Sequence, residues 1–222
     1  MEKKFILTDK FVINSFGIKL FQIKCTKSFK YAQKGDFGGY VEKEGNLDQE
    51  NDAWVFGNAR VFGNARVSGN ARVSGDAWVS DNARVSGNAW VSDNAWVSSN
   101  AWVSGDAWVS GYAWVSGDAR VSGNAWVSGN AWVSGNAWVS GDADIENDNE
   151  HCGFDGFGSC NRHTHAYMTK EKKVEIICGC FRGSIEEFEK KVEETHSGTV
   201  YEKQYKSIIN VIKIKFGLTD FT

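Results

Sequence analysis

Residues 83–106 read ARVSGNAWVSDNAWVSSNAWVSGD, four copies of one six-residue unit: alanine, tryptophan or arginine, valine, serine, glycine (aspartate at 93, serine at 99), asparagine or aspartate. Outward from this stretch the unit runs sixteen times without insertion, from Ala53 to Ile145. The first position is alanine in every copy, and the third is valine until Ile145 replaces it. The second is tryptophan ten times, arginine five times and aspartate once, at Asp144. All ten tryptophans of the chain lie in the array, between Trp54 and Trp138, at spacings that are multiples of six. A period of six keeps valine on no single helical face, and a glycine with an asparagine or aspartate in most units opposes helix. In Ala-Trp-Val the side chains alternate, so alanine and valine point one way and tryptophan or arginine the other. Ser-Gly-Asn supplies a turn, because glycine and asparagine tolerate left-handed backbone. One short strand and one turn cannot enclose a core alone. Stacked coils can, with valine over valine and each strand bonded to the next.

The composition narrows the class further. The 222 residues include 24 glycines without a three-residue period and no proline, which excludes a collagen-like chain. A hydrophobic fraction of 41% with a formal charge of −3 is too apolar for a disordered one. No run approaches a membrane-spanning length. The start, MEKKFILTDK, lacks the apolar core and cleavage site of an export signal, so the five cysteines are expected as reduced thiols in a cytoplasm.

The array resembles the hexapeptide-repeat family, in which an aliphatic residue is followed four places later by a small one, as in Val85–Ala89, Val91–Ala95 and Val127–Ala131. The resemblance implies an all-β solenoid, a left-handed parallel β-helix with triangular coils of eighteen residues. Sixteen units then make just over five coils, a prism roughly 25 Å tall at about 4.8 Å per coil. With that coil length the outward residues fall into three ladders. The first is Trp54, Arg72, Trp90, Trp108, Trp126 and Asp144; the second is Arg60, Trp78, Trp96, Trp114 and Trp132. The third is Arg66, Arg84, Trp102, Arg120 and Trp138. Indoles one coil apart can overlap, with guanidinium planes on their neighbours. The ladders can simply stiffen the prism, form an oligomer interface, or stack on bases, sugars or another planar ligand. So large an exposed apolar surface usually meets something.

Both ends of a β-helix need cover against edge-to-edge aggregation. Residues 1–50 are expected to form a β-rich N-terminal cap, with strands in KKFILT, KFVIN and IKLFQIKC. The solenoid is assigned to 51–159, regular over 53–146, with a degraded last coil to about 159. Residues 160–222 are read as a small α+β C-terminal cap: a hairpin across KEKK, then two helices, the first opened by Ser184 and Glu187 as a capping box. The flanks GDFGGYVEKEGNL and GCFRGSIEEFEKKVEETH resemble those of a phage- and prophage-associated family of hexapeptide-repeat proteins, whose biochemical role is generic.

The best-known enzymes on this repeat are acyl- and acetyltransferases, whose resemblance implies a trimer with a loop-borne histidine beside a CoA-type donor. Residues 53–145 contain no histidine, cysteine, lysine or loop insertion, so a non-enzymatic protein without a cofactor is expected. Cys152, Cys160, His163, His165, Cys178 and Cys180, with His151 nearby, hold enough donors for zinc but lack close CxxC pairs. Cys178 and Cys180, on one face of a strand, are read as packed cap residues and the histidines as surface polar groups. Long nucleic acid is not expected, because aspartates outnumber the five arginines of the array. The expected function is a phage-type scaffold or binding protein whose Trp/Arg ladders serve self-association, possibly trimeric, or partner binding. The alternatives are a counter-defence protein that captures a host protein or a nucleotide messenger, and a CoA-dependent transferase. The expected location is the cytoplasm of the infected bacterium, with association with the virion as a second option.

Overall fold

The computed structural model describes residues 2–218. Its centre is a β-solenoid built from sixteen two-residue strands, β4 (Trp54–Val55) to β19 (Asp144–Ile145), one per sequence unit. They stack as three parallel sheets with a step of eighteen residues: Trp90 pairs with Trp108, Trp96 with Trp114 and Trp102 with Arg120. Every array valine and Ile145 is at or below 1% exposure, and the alanines at or below 3%, so they form the interior of the prism.

Each unit is closed and stacked by its own backbone. The Ala95 N–H donates to the Ser92 carbonyl at 3.2 Å and closes the turn. Trp90, Ser92 and Asn94 each donate to the coil above, at 2.9 Å. The residue after serine sits in the left-handed region, at φ +69 for Gly105. A Cβ there would lie 2.9 Å from the backbone nitrogen of Gly123, which is why glycine recurs. Asp81 and Asp93 occupy the same position at φ +58 and +59. Their carboxylates accept the turn N–H groups of Ser99 and Gly111 one coil on, which offsets the strain.

The N-terminal segment adds to one face of the prism. Strands β1 (Phe5–Ile13), β2 (Lys19–Cys25) and β3 (Phe37–Val41) extend the second sheet, the first two antiparallel. KKFILT and KFVIN merge into the single strand β1, with its register shifted between Leu7 and Phe11. Coil stacking already begins inside this segment: Val41 lies over Val61 and Leu47 bridges to Val67. Two extra residues between Leu47 and Val55 then restore the regular phase.

At the other end the parallel stacking stops at Ile145 and not at residue 159. The next unit would place Asn149 and His151 at the inward alanine and valine positions, and the chain leaves the coil path instead. Residues 151–157 form β20 (His151–Phe157), the first strand of an antiparallel sheet with β21 (Arg162–Met168), β22 (Val174–Cys178) and β23 (Phe181–Ser184). The C-terminal cap therefore holds four strands around the expected hairpin. Helices α1 (Ile185–His196) and α2 (Val200–Lys215) pack on the sheet face that carries Ala166, Ile176 and Cys178. Tyr167 and Ile177 point from the opposite face into the end of the prism core. No helix among the described residues is long and apolar enough to cross a membrane.

Ser184 caps α1 in a reciprocal box, its hydroxyl accepting from the Glu187 N–H and the Glu187 carboxylate from the Ser184 N–H at 2.8 Å. Ser184→Ala is expected to destabilise the C-terminal cap by about 1 kcal/mol, measured by urea unfolding followed by helical circular dichroism.

Candidate functional site

The outward ladders share one local geometry. Each of five indoles donates its N–H to the serine two places past its neighbour in the coil below: Trp90 to Ser74, Trp96 to Ser80, Trp102 to Ser86, Trp108 to Ser92 and Trp114 to Ser98, at 2.8–3.2 Å. The serine rows thus hold the rings in place. Stacking follows, with Trp90 over Trp108 at 4.9 Å and 1°, Trp96 over Trp114 at 5.1 Å and Trp114 over Trp132 at 5.2 Å. Trp108–Trp126 and Trp78–Trp96 meet edge to face.

The caps close the two ends of the first ladder. Trp54 is 1% exposed beneath Phe5 and Phe29, so it is a core residue and not part of a binding surface. Arg72 lies 4.3 Å from the Trp90 ring and 5.6 Å from Tyr31. At the far end Lys170 sits 4.4 Å over Trp126, and Lys172 pairs with Asp144. On the second ladder Arg60 stacks on Trp78 at 5.2 Å, and Phe16, at the tip of the β1–β2 hairpin, packs on Trp78 and Trp96.

Exposure of the indoles on the first two faces therefore concentrates in the C-terminal half. Trp126 on the first face, Trp114 and Trp132 on the second, and Tyr112 at the corner between them are all exposed. That corner differs from the other two, which carry amide ladders. Asn64 donates to Asn82, Asn82 to Asn100 and Asn100 to Asp118 along one. Asn70 donates to Asn88, and Asn88 to Asp106, along the other. Both ladders are written in the sequence, whose sixth positions repeat asparagine or aspartate at steps of eighteen along these two corners. The first and second faces meet at Asp76, Asn94, Tyr112 and Asn130, and among the described residues no such ladder runs along them.

The cysteines of the C-terminal cap do not converge with His151, His163 and His165. Cys178 is buried on the helix-facing side of the sheet, where its thiol accepts from Thr164 and lies 3.7 Å from the Tyr205 hydroxyl. Cys152 packs on that side too, and burial pushes its thiol up to about 11. Cys180 is exposed in the turn after Gly179, so the two thiols of Cys178-Gly-Cys180 do not share a face. Cys160 is exposed in another turn. These three histidines lie on the prism side: His165 is 1% exposed, its Nε2 3.3 Å from Nδ1 of His151, with His163 5.6 Å away by ring centroids. His165 is thus a core residue and not a surface group. Among the described residues no three histidine, cysteine or carboxylate groups are placed to hold a metal ion.

Parallel coils with a valine–alanine interior and outward ladders define a β-solenoid repeat protein. The array is similar to the YdcK beta solenoid repeat, whose family model matches residues 65–81, 77–93, 83–99, 113–129 and 125–141. Each match begins on an alanine of the unit and spans just under one coil. No curated protein matches the chain.

Proposed function

We propose that the chain is a non-enzymatic, phage-type scaffold of the bacterial cytoplasm that associates with further copies of itself through the edge shared by its first and second faces. The observation that carries this reading is the grouping of Tyr112, Trp114, Trp126 and Trp132 at 69, 36, 44 and 51% exposure on an otherwise serine- and asparagine-rich surface. Tyrosine and tryptophan are the residues most often found where association energy concentrates. A covered aromatic ring buries about 150–250 Å², so four partly exposed rings supply much of the roughly 800 Å² per partner that a stable interface needs. Trp114 and Trp132 stack on each other, Trp114 donates to Ser98 and Trp126 meets Trp108 edge to face, so the three indoles are held in place before contact, which lowers the entropy lost on association. The five cysteines are free thiols, which suits a reducing compartment.

Sedimentation of the full chain at micromolar concentration is expected to show a dimer or trimer. The double substitution Trp114→Ser and Trp132→Ser is expected to weaken association at least about thirtyfold while the circular dichroism is preserved, since one interface hot spot contributes 2 kcal/mol or more. A monomer in the parent protein overturns the reading.

A further inference from the structure

The third face carries a concave site that the indole-rich edge does not include. It is a groove of about 580 Å³ at the N-terminal end of the third ladder, lined among others by Leu47, Asp48, Arg66, Ser68, Arg84 and Trp102. That volume lies within the range typical of small-molecule sites. The groove exists because the ladder is interrupted. One step below Arg66, where the next outward side chain would stand, Asn46 turns inward with no exposure and donates its amide to the carbonyls of Gly63 and Ala65.

Arg66 and Arg84 are directly paired across adjacent coils, the one place in the three ladders where two arginines are neighbours. Like charges in register repel, and among the described residues neither guanidinium has an ion pair, a side-chain hydrogen bond or an aromatic ring beneath it. Arg60 and Arg72 behave otherwise, each stacking on the tryptophan one coil above. Arg84 has Trp102 in that place yet does not lie over it, which leaves the indole face open to the groove at 42% exposure. The bond from Trp102 to Ser86 fixes the ring. Ser68 would receive an indole N–H if residue 84 were tryptophan; with arginine there, its hydroxyl is available. The one carboxylate on the rim, Asp48, already accepts from the Glu50 N–H at 2.9 Å and the Asn51 amide at 2.6 Å.

Two unneutralised guanidiniums, a hydroxyl and an open indole face are complementary to a small anion that carries a planar ring. Paired guanidiniums match phosphate oxygens, and an indole accepts any base by stacking. We propose that this groove binds a nucleoside phosphate, with the phosphate on Arg66 and Arg84, the base against Trp102 and the Ser68 hydroxyl on the phosphate or sugar. The site lies apart from Trp114 and Trp132, so it stands whether or not the chain self-associates.

Isothermal titration of the full chain with AMP, GMP and ATP tests it. Binding is expected to weaken as salt rises. Adenosine and ribose 5-phosphate, each lacking one half of the recognised group, are expected to bind more weakly than AMP. The double variant R66A/R84A, at two exposed positions, is expected to keep its circular dichroism and lose at least about tenfold in affinity, the worth of one charge-assisted hydrogen bond. W102F is expected to retain binding and W102A to lose it. No heat from the three nucleotides up to millimolar concentration overturns the proposal. So does ribose 5-phosphate binding as tightly as AMP, or R66A/R84A binding AMP like the parent.

Discussion

Deletion of residues 103–120 is expected to leave a folded protein one coil shorter, whereas deletion of only residues 104–106 is expected to abolish the fold. The longer deletion joins Trp102 to Val121 and keeps the alternation of the unit. Trp90 then lies under Trp126, Trp96 under Trp132 and Trp102 under Trp138, because each sheet steps by eighteen residues. No buried contact of either cap is removed, and the prism shortens by about 4.8 Å. In a stack whose coils contact only their neighbours, the loss is one coil and one interface. The three-residue deletion removes Ser104, Gly105 and Asp106, the turn whose glycine holds φ +69. Val103 is then joined to Ala107 with no corner between them. Side chains alternate with period two along a strand, so Ala107 would point outward and Trp108 into a core lined by valine. Circular dichroism and thermal melting separate the outcomes, and small-angle scattering reads the length of the shorter prism. A folded 104–106 deletion, or an unfolded 103–120 deletion, contradicts the account of the unit as one strand plus one obligatory turn.

The parts of the fold legible in the sequence are those that repeat. The six-residue period points to the short strands and the valine–alanine interior, and the three ladders follow once the eighteen-residue coil that the hexapeptide-repeat resemblance implies is added. The caps carry no period, and their register is set by tertiary pairing that overrides local pattern. His151 falls at a valine position and invites continuation of the coil, but the polar Asn149 and His151 would have to enter the core together, and β20 pairs antiparallel instead. Trp54 belongs by number to a surface ladder and is covered only because Phe5 and Phe29 return to it from a distant part of the chain. The groove was hidden for a similar reason: the arginines that line it read as two more ladder residues until Asn46 is seen to turn inward. The asparagine ladders at two corners share the eighteen-residue step of the tryptophans and are equally periodic in the sequence.

Stability of the C-terminal cap is expected to fall as pH drops below about 6.5, the ordinary value for histidine. His165 is enclosed between the four-stranded sheet and the end of the prism, with the rings of His151, His163 and Tyr167 around it at centroid distances of 5.3, 5.6 and 5.9 Å. One hydrogen bond joins His165 Nε2 and His151 Nδ1 at 3.3 Å, so a single proton serves both nitrogens. Burial, followed by the like charges that His151 and His163 would carry, holds the His165 imidazole well below its ordinary range. Burial also lowers His151, opposed by Asp148 at 3.7 Å and aided by Lys215. His163, nearer the edge, donates to Asp155 at 2.8 Å. Between the lowered folded values and about 6.5, the unfolded chain binds protons that the folded cap refuses. Stability is therefore complete above this window and declines as pH falls through it, by about 1.4 kcal/mol per pH unit for each group so shifted. Chemical unfolding at pH 7.5, 6.5, 5.5 and 5.0, read by helical circular dichroism, measures the slope, while most carboxylates titrate below that range. His165→Phe retains a ring of similar size and removes the titration, so it is expected to flatten the slope. A slope unchanged in that variant would place the acid sensitivity outside the buried histidine.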